Sequence, residues 1–529
     1  MFIKSLIDTF VFPLMRKLSY IFLGSIVLLA LASCDVSTEI DTDDFSQRRL
    51  RFSSFGFSSE DNKDLTSDYM LTDTDSDTLS FFIQELNDVS SLIPRYTGDF
   101  VIVKSDGAVV ESGYTTQDYN SIVKYDLEDR SGHIDSCFVK VICSNGIPII
   151  DIVTEGGAEI LSKENYINAK IRVSNCPEYG VIDPACTVKG RGNATWTDYP
   201  KKHYKIKLSN KSSIFGFPAN KDWALLADYT DKSLLRTAYM CAISRAVEME
   251  YTVNYRHVDL VLNGNKLGTY ILTDQVEKSS NRVAVDDTGF FIEDDRYYFR
   301  EPHYFTSISG NHFTFKYPKP DKGNIKDGDD NFVFISTFIN SLEQSLSLIT
   351  NEDYSYRNYI DLDSFAKWYV VSEVMGNWEP NIYYVLKNRE AKLKAYPMWD
   401  AEWSMGLAMQ GDIPTVWYFP PTVVDNTLSI WNNRKYFNYL FKDPLFVKYV
   451  KDNYTLLKNK RDDIHNEIEP LVPLLEYSQK DNFEIWPVLD KYLGAGLIAL
   501  GSWKSEVDYV NHFFDNRMEW LENELSELH

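Results

Sequence analysis

The sequence predicts an α+β protein in which an all-β region precedes a larger domain of strands and helices. Between residues 50 and 145, short apolar segments alternate with turns rich in Asp, Ser and Gly. In the next part of the chain, strand-like segments surround one helical segment and one hairpin signal. From residue 330 onward, apolar residues recur at helical spacing. These patterns predict a small β-sandwich at 50–145 and an α+β domain at 146–529.

The first 33 residues have the features of a secretory signal peptide. Arg16 and Lys17 precede the apolar run at 18–30, and Leu31-Ala32-Ser33 then leads to Cys34. Basic residues, a short apolar run and small residues before the cleavage point are typical of such a signal. The cysteine in this context resembles a lipobox, so we expect Cys34 to carry a lipid that anchors the chain to the membrane. An uncleaved anchor helix is the alternative, although the run is short for a membrane span.

The segment after the signal peptide indicates the location of the chain, and the net charge restricts its partners. Residues 34–49 are polar and acidic, as expected of a flexible tether. We therefore predict a lipid-anchored protein of the cell envelope, at the outer membrane or the cell surface. The formal net charge of −23 argues against nucleic acid as a partner. An anionic ligand would need a local cationic pocket.

The cysteines give no metal-binding pattern. Cys176 and Cys186 bracket a loop with two prolines and a glycine, and this loop could be closed by a disulfide. Separate buried thiols fit the sequence equally well. The sequence has no CxxC pair that would indicate structural zinc.

The region at 50–145 is similar to a known kind of module. The segments at 111–119 and 123–125 resemble Ig-like modules found at the front of Bacteroidetes surface lipoproteins. We expect this region to be a spacer between the membrane and the following domain. Carbohydrate binding is the alternative, but its aromatic residues also suit a core.

A glycine-bearing turn followed by a cationic strand is the most distinctive part of the chain. The sequence RGNATW begins at Arg191, and PKKHYKIKL follows from Pro200. Strand alternation puts His203, Lys205 and Lys207 on one face and apolar residues on the other. Backbone N–H groups and lysines together can hold a polyphosphate. An exposed cationic edge strand would have the same pattern.

A helix and a hairpin are predicted after this strand. Residues 231–247 carry apolar side chains at helical spacing, and Asp228 or Thr230 could cap the helix. Asn263-Gly264 between two apolar runs is a strong hairpin signal. Further helices are predicted at 332–348, after an Asp363 cap, and at 509–528.

Two carboxylates close to tryptophans suggest a metal site. In the sequence MWDAEW at 398–403, an extended backbone would place Asp400 and Glu402 on one face, about 7 Å apart. Mg²⁺ takes one or two carboxylates together with phosphate oxygens and water. The pair therefore predicts a site that binds Mg²⁺, or Mn²⁺, with a phosphorylated ligand.

Several ordered motifs together resemble the CotH kinase family of atypical kinases. They are RGNATW with PKKHYKIKL, KDWALLADY from Lys221, DKSLLR from Asp231, LNGNKLGTYILTDQV from Leu262, and WDAE from Trp399. The resemblance covers the domain at 146–529 and implies a two-lobed, protein-kinase-like fold. It also implies ATP binding with Mg²⁺ and transfer of phosphate to Ser or Thr of an extracytoplasmic protein.

The resemblance assigns expected roles to phosphate- and base-binding residues. Lys205 or Lys207 would neutralise the phosphates of the nucleotide, and Arg191 could reach one of them. A structural role for Arg191, bound to a carboxylate such as Asp222, is the alternative. Asp274 and Gln275, in TDQV where the family has TEQV, would contact the base or ribose.

The resemblance also points to the reacting groups, and here the chain departs from the family. Asp400 corresponds to the metal-binding Asp, while Glu402 replaces a family Asp. Glu379 stands where the family has the Asp that acts as catalytic base, and Asn381 could bind metal or phosphate. Because positioning supplies much of the rate in phosphoryl transfer, Glu379 puts activity in question. The alternative function is therefore a pseudokinase, or a surface lipoprotein that binds glycans or proteins.

Overall fold

The computed structural model describes residues 49–528 with gaps. The residues left out within this range are 66–67, 73–76, 84–85, 87–88, 144–145, 177–183, 320–322, 324, 378–380, 408–413, 420, 422–434, 495 and 497. The signal peptide, Cys34 and the tether predicted for residues 1–49 lie outside the described residues apart from Arg49. Leu50–His529 form one compact unit.

Two sheets with a common core form the N-terminal region. A three-stranded sheet has the order β2-β1-β4, and a five-stranded sheet has the order β3-β8-β7-β5-β6. The strands are β1 Phe52–Phe57, β2 Tyr69–Leu71, β3 Thr78–Ile83, β4 Arg95–Gly98, β5 Ile102–Ser105, β6 Ala108–Val109, β7 Val123–Glu128 and β8 Ile134–Cys143. Phe55, Phe81 and Tyr125 pack together between the sheets. The Ig-like character of this region stays a prediction.

Seven strands then close into a barrel. They are β9 Ile149–Thr154, β10 Ile167–Ser174, β11 Ala185–Arg191, β12 His203–Ser212, β13 Asn220–Leu226, β14 Tyr255–Leu262 and β15 Asn265–Asp274. The order is β10-β11-β12-β13-β15-β14-β9, and the parallel pairing of β9 with β14 closes the ring. Ile206, Trp223 and Leu272 are among the side chains that fill the interior.

The hairpin and helix predicted within this domain are present. Asn263 and Gly264 join β14 to β15 with φ of 50° and 76°, the backbone that an Asn-Gly hairpin turn requires. The helix is α2, Arg236–Ala246. The capping prediction was wrong, because neither Asp228 nor Thr230 caps it. The side chain of Asp231 accepts the Arg236 N–H at 2.8 Å instead.

The rest of the domain combines a third sheet with helices. The sheet order is β17-β18-β16-β19-β20. The strands are β16 Phe290–Asp294, β17 Tyr304–Thr306, β18 His312–Tyr317, β19 Ile382–Leu386 and β20 Leu393–Ala395. The other helices are α1 Ala194–Thr197, α3 Asp330–Ser347, α4 Leu362–Met375, α5 Lys435–Leu440, α6 Pro444–Asn459, α7 Arg461–Ile468, α8 Leu471–Ile485 and α9 Trp503–Glu527. The predicted α+β class is confirmed, while the two-lobed kinase-like arrangement stays a prediction.

The long helices match their sequence patterns with one correction. α3 and α9 cover the predicted segments. Asp361, rather than Asp363, caps α4, and its carboxylate accepts the Ser364 N–H at 3.0 Å. Among the described helices, the one at 330–351 is long and apolar enough to cross a membrane, with a mean hydropathy of 1.3. Ile335, Ile339 and Leu342 nevertheless pack into the protein core, as expected of a soluble amphipathic helix.

The structure decides between the two possibilities for Cys176 and Cys186, a disulfide or separate thiols. Cys176 and Cys186 are both free thiols, and both are buried among its apolar side chains. Burial raises the pKa of the Cys186 thiol to about 12. The pair therefore behaves as separate core residues.

Candidate functional site

The cationic strand has the predicted alternation. Tyr204, Ile206 and Leu208 of β12 point into the barrel core. His203, Lys205 and Lys207 lie on the outer face, where His203 is buried, Lys205 is partly exposed and Lys207 is exposed. The outer face of β12 is thus the start of a candidate site, and only its first half is sheltered from solvent.

Lys205 has partners that sequence reasoning did not identify. Its ammonium pairs with Asp222 Oδ1 on β13 at 3.0 Å, and both side chains are less than a quarter exposed. Directly across from it on β11 lies Lys189, whose ammonium is 4.9 Å from the centre of the Tyr166 ring. Burial and the charge of Lys205 lower the pKa of Lys189. In contrast, Lys207 makes no hydrogen bond or ion pair with any described residue. Lys189 could have been found from the alternation in Thr187-Val188-Lys189-Gly190-Arg191.

The glycines next to this strand serve the packing of the turn. A Cβ on Gly190 would lie 2.3 Å from the Trp196 ring, so the missing side chain makes room for that tryptophan. Gly192 has a φ of +94°, which favours glycine. From outside the turn, Arg300 donates to Asn193 Oδ1 at 3.0 Å. The turn is therefore held by the packing of Trp196 and by the hydrogen bond from Arg300.

Arg191 extends the outer face toward the second half of the site. Its guanidinium lies 5.4 Å from the centre of the Trp399 ring. It makes no hydrogen bond or ion pair with any residue that the structure describes. Burial lowers the pKa of Arg191, and the charge of Asp400 opposes that shift. The proposed tie to Asp222 was wrong, because Asp222 pairs with Lys205.

Asp400 faces Arg191 without forming an ion pair. Its carboxylate accepts a hydrogen bond from Asn381 Nδ2 at 3.3 Å. The side chain reaches solvent, yet surrounding protein raises its pKa through desolvation, while Arg191 and Arg296 oppose this. The backbone of Asp400 has a φ of 64°, a strained conformation that is often found at functional sites.

The predicted pairing of Asp400 with Glu402 was wrong. Residues 397–407 form no strand, so the two carboxylates do not share the face of one. Glu402 is 7% exposed, and its Oε1 accepts the Thr230 N–H at 2.9 Å as well as the Thr230 hydroxyl. Within the described residues, no cluster of three or more His, Cys, Asp or Glu side chains could hold a metal ion. Glu379, the expected base, lies outside the described residues.

The two residues predicted to contact the base of a nucleotide behave differently. Asp274 is buried, and its carboxylate accepts from Tyr251, Asn254 and Arg282. That network leaves it a structural role, so the prediction for Asp274 was wrong. Gln275 follows it, and its Oε1 is buried without a hydrogen-bond partner among the described residues. The hydroxyl of Thr273, close to the C-terminal end of β15, is also buried and has no hydrogen-bond partner among the described residues.

Comparison with known proteins identifies the family. No curated protein matches the chain. The family described as CotH kinase protein matches residues 188–521, from β11 to α9. The family resemblance predicted from the motifs is therefore confirmed. Because this match covers more than half of the 529 residues, the chain belongs to the CotH kinase family.

Proposed function

We propose that this chain is an atypical protein kinase that binds ATP with Mg²⁺ and phosphorylates Ser or Thr of an extracytoplasmic protein. The observation that carries the proposal is the relation of Arg191 to Asp400. The guanidinium of Arg191 and the carboxylate of Asp400 attract each other, but they form no ion pair. A phosphate bound to Arg191 and a metal cation bound to Asp400 would give each side chain the oppositely charged partner that it lacks.

The neighbouring side chains fit a nucleotide. Lys205 and Lys189 lie side by side on the outer face that leads to Arg191, and they suit the phosphates. Gln275 Oε1 and the Thr273 hydroxyl are buried polar atoms in need of partners. An adenine amino group and a ring nitrogen are suitable partners for such atoms. These orphaned groups support a base-binding position at the C-terminal end of β15.

The reacting groups in this proposal come from the other half of the site. Asp400 and Asn381 would hold Mg²⁺ or Mn²⁺, which offsets the negative charge of the phosphates. Glu379 accepts the proton of the acceptor hydroxyl. As it does so, the hydroxyl oxygen bonds to the terminal phosphorus, and the bond from that phosphorus to ADP breaks.

One observation favours a second function, that of a pseudokinase or a glycan- or protein-binding lipoprotein. Two carboxylates expected in the site, Glu379 and Glu402, differ from the family residues. The Glu402 carboxylate already accepts a hydrogen bond from Thr230. A site with fewer free carboxylates would bind nucleotide without transferring phosphate. In either function we propose a lipid anchor at Cys34 and a location in the cell envelope.

Two variants of the mature chain separate these functions. Asp400→Asn removes the charge while retaining a residue that tolerates the left-handed backbone. We expect it to lower Mg²⁺-dependent phosphate transfer from labelled ATP by about a hundredfold or more. Glu379→Asp restores the family residue and should retain or increase the transfer rate. Calorimetric titration with a non-hydrolysable ATP analogue measures binding separately.

The outcomes are distinct. Transfer that depends on Asp400 supports the kinase. Nucleotide binding without transfer, followed by a large gain in Glu379→Asp, supports the pseudokinase. A chain that binds neither ATP nor its analogue would refute both nucleotide-dependent functions.

A further inference from the structure

Tyr383 on β19 is a buried tyrosine whose hydroxyl is not used by the fold. Its side chain is 6% exposed, and the hydroxyl makes no hydrogen bond with any residue that the structure describes. Leaving a buried polar group without a partner is costly, and the hydroxyl of a buried tyrosine usually has one. Phenylalanine would fill the same space without that cost. Packing alone therefore does not explain a tyrosine at this position.

Strand alternation directs the Tyr383 side chain away from the helices. The next residue, Tyr384, packs toward α4, and its ring centroid is 5.7 Å from that of Phe365. The Tyr383 ring instead packs on Phe291 of β16, with centroids 5.4 Å apart. Successive side chains of a strand point to opposite faces of its sheet. Tyr383 thus lies on the face of the third sheet that is opposite to α4.

The surroundings of the hydroxyl connect it to the candidate site. Asn381, two residues before Tyr383, donates to the Asp400 carboxylate at 3.3 Å. Arg191 and Asp400 are both close enough for their charges to act on the Tyr383 hydroxyl. These are the two side chains between which we propose that a phosphate and a metal bind. The hydroxyl therefore belongs to the same part of the site.

A third charged neighbour, Glu293, already has a partner of its own. Glu293 lies directly across from Tyr383 in the pairing of β16 with β19. Its buried carboxylate forms an ion pair with the Lys316 ammonium on β18 at 2.6 Å. A buried carboxylate with a bound cation needs no further compensation. Stabilising Glu293 is therefore not the role of the Tyr383 hydroxyl.

We propose that the Tyr383 hydroxyl donates a hydrogen bond to the terminal phosphate of the bound nucleotide. This contact rests on the proposed function, in which a phosphate binds Arg191 and a metal cation binds Asp400. A tyrosine hydroxyl is protonated at neutral pH, so it can donate to a phosphate oxygen. Hydrogen bonds to charged acceptors are stronger than those between neutral groups. The contact would also give the buried hydroxyl the partner that it lacks among the described residues.

The place of Tyr383 in the chain favours the terminal phosphate over the other two. Tyr383 follows Glu379 and Asn381, which we propose for the acceptor hydroxyl and for the metal, by four and two residues. The phosphate that is transferred lies between the metal and the acceptor. The base-binding position proposed on β15 would hold the other end of the nucleotide. Tyr383 should therefore distinguish ATP, which has the terminal phosphate, from ADP, which lacks it.

Binding of a non-hydrolysable ATP analogue and of ADP tests this contact. Both ligands would be titrated with Mg²⁺ into the unmodified mature chain and into Tyr383→Phe, and the heat of binding would be measured. We expect Tyr383→Phe to bind the ATP analogue about tenfold more weakly, because a hydrogen bond to a charged group is lost. The affinity for ADP should be unchanged.

Tyr384→Phe is the matched control. It removes the hydroxyl of the neighbouring residue, which is 1% exposed and whose ring packs toward α4. Both ligands should bind this control as they bind the unmodified chain. Tyr383→Phe retains the ring that packs on Phe291, so urea denaturation should show no loss of stability. Lower stability with an equal loss of affinity for both ligands would make Tyr383 a structural residue and overturn the proposal.

The result that overturns this contact differs from the one that overturns the kinase. Unchanged affinity of Tyr383→Phe for the ATP analogue, or equal losses for the analogue and for ADP, would refute the contact and leave nucleotide binding in place. A chain that binds neither ligand would refute the kinase and this contact together. Binding without phosphate transfer would favour the pseudokinase, and a selective loss of the analogue in Tyr383→Phe would support the contact there as well.

Discussion

Arg517 and Arg191 are two sheltered arginines with opposite surroundings. Burial lowers the pKa of both guanidinium groups. Arg517 donates to the Glu373 carbonyl at 2.9 Å, to the Pro414 carbonyl at 2.7 Å and to the Glu373 carboxylate at 2.5 Å. Arg191 has only the ring of Trp399 beneath it among the described residues. The donors of the first arginine are satisfied by the fold, while those of the second have no acceptor among the described residues.

The acidic partners show the same difference. Besides Arg517, the Glu373 carboxylate accepts the N–H groups of Tyr418 and Phe419, each at 2.8 Å. Among the described residues, the Asp400 carboxylate accepts a hydrogen bond from Asn381 alone, at 3.3 Å, and the Asp400 backbone is strained at a φ of 64°. A complete network is typical of a structural ion pair, and an incomplete one is typical of a binding site. The two arginine–carboxylate pairs thus differ both in burial and in the number of their hydrogen bonds.

The largest expected effect is the loss of stability when the ion pair between Arg517 and Glu373 is broken. Arg517→Met would leave the Glu373 carboxylate buried without its cation. We expect the free energy of unfolding to fall by about 3–5 kcal/mol, because an uncompensated buried charge is strongly destabilising. Urea denaturation followed by circular dichroism measures the change. The exposed Arg130→Gln is the control, with an expected change within about 0.5 kcal/mol. Equal stability of the two variants would mean that the Arg517 network is not structural.

Substitution of Arg191 should have little effect on stability and a large effect on nucleotide binding. Arg191→Met removes a cation that has no ion pair, so we expect the free energy of unfolding to change by less than about 1 kcal/mol. Affinity for an ATP analogue should fall by about 10- to 100-fold, since a charged hydrogen bond contributes about 1.5–3 kcal/mol. Arg191→Lys should fall in between, because an ammonium cannot form the paired contact. A destabilised Arg191→Met with unchanged affinity would make Arg191 a structural residue.

Local patterns predicted the local structure well. The period of two in HYKIKL gave the correct faces of β12, and Asn263-Gly264 gave the correct turn. Apolar spacing predicted α3 and α9 because each helix packs one stripe against the core. These features depend on residues that are near one another in sequence.

Long-range features could not be predicted in this way. The barrel closes because residues 149–152 pair with residues 259–262, and no local pattern encodes that parallel register. The Glu402 carboxylate accepts a hydrogen bond from Thr230, which is 172 positions away. The extended backbone assumed for Asp400 failed because a left-handed residue turns the chain there. The family motifs predict Arg191 and Asp400 as site residues, and the fold shows that no ion pair joins them to any described residue.

The smallest expected effect is a change in pH dependence at His203, which pairs with Arg191 across β11 and β12. Burial, together with the charges of Arg191 and Lys201, lowers the pKa of His203 well below 6.5. The unfolded chain therefore binds this proton first as the pH falls. The stability from neutral His203 is complete above about pH 6.5 and is lost below it, by up to about 1.4 kcal/mol per pH unit.

Arg191→Met should raise the pKa of His203, because one of the repelling charges is removed. As the pH falls below about 6.5, the loss of stability should then end at a higher pH in the variant than in the unmodified chain. Urea denaturation across that range measures the difference, and NMR of the imidazole reports the pKa directly. His257 is the internal control, since burial lowers its pKa to about 4 without any contribution from Arg191. A saturating anion should act on His203 in the same direction as the substitution, because it neutralises Arg191. An unchanged His203 pKa in both experiments would mean that the charge of Arg191 is already compensated, and the contrast with Arg517 would be lost.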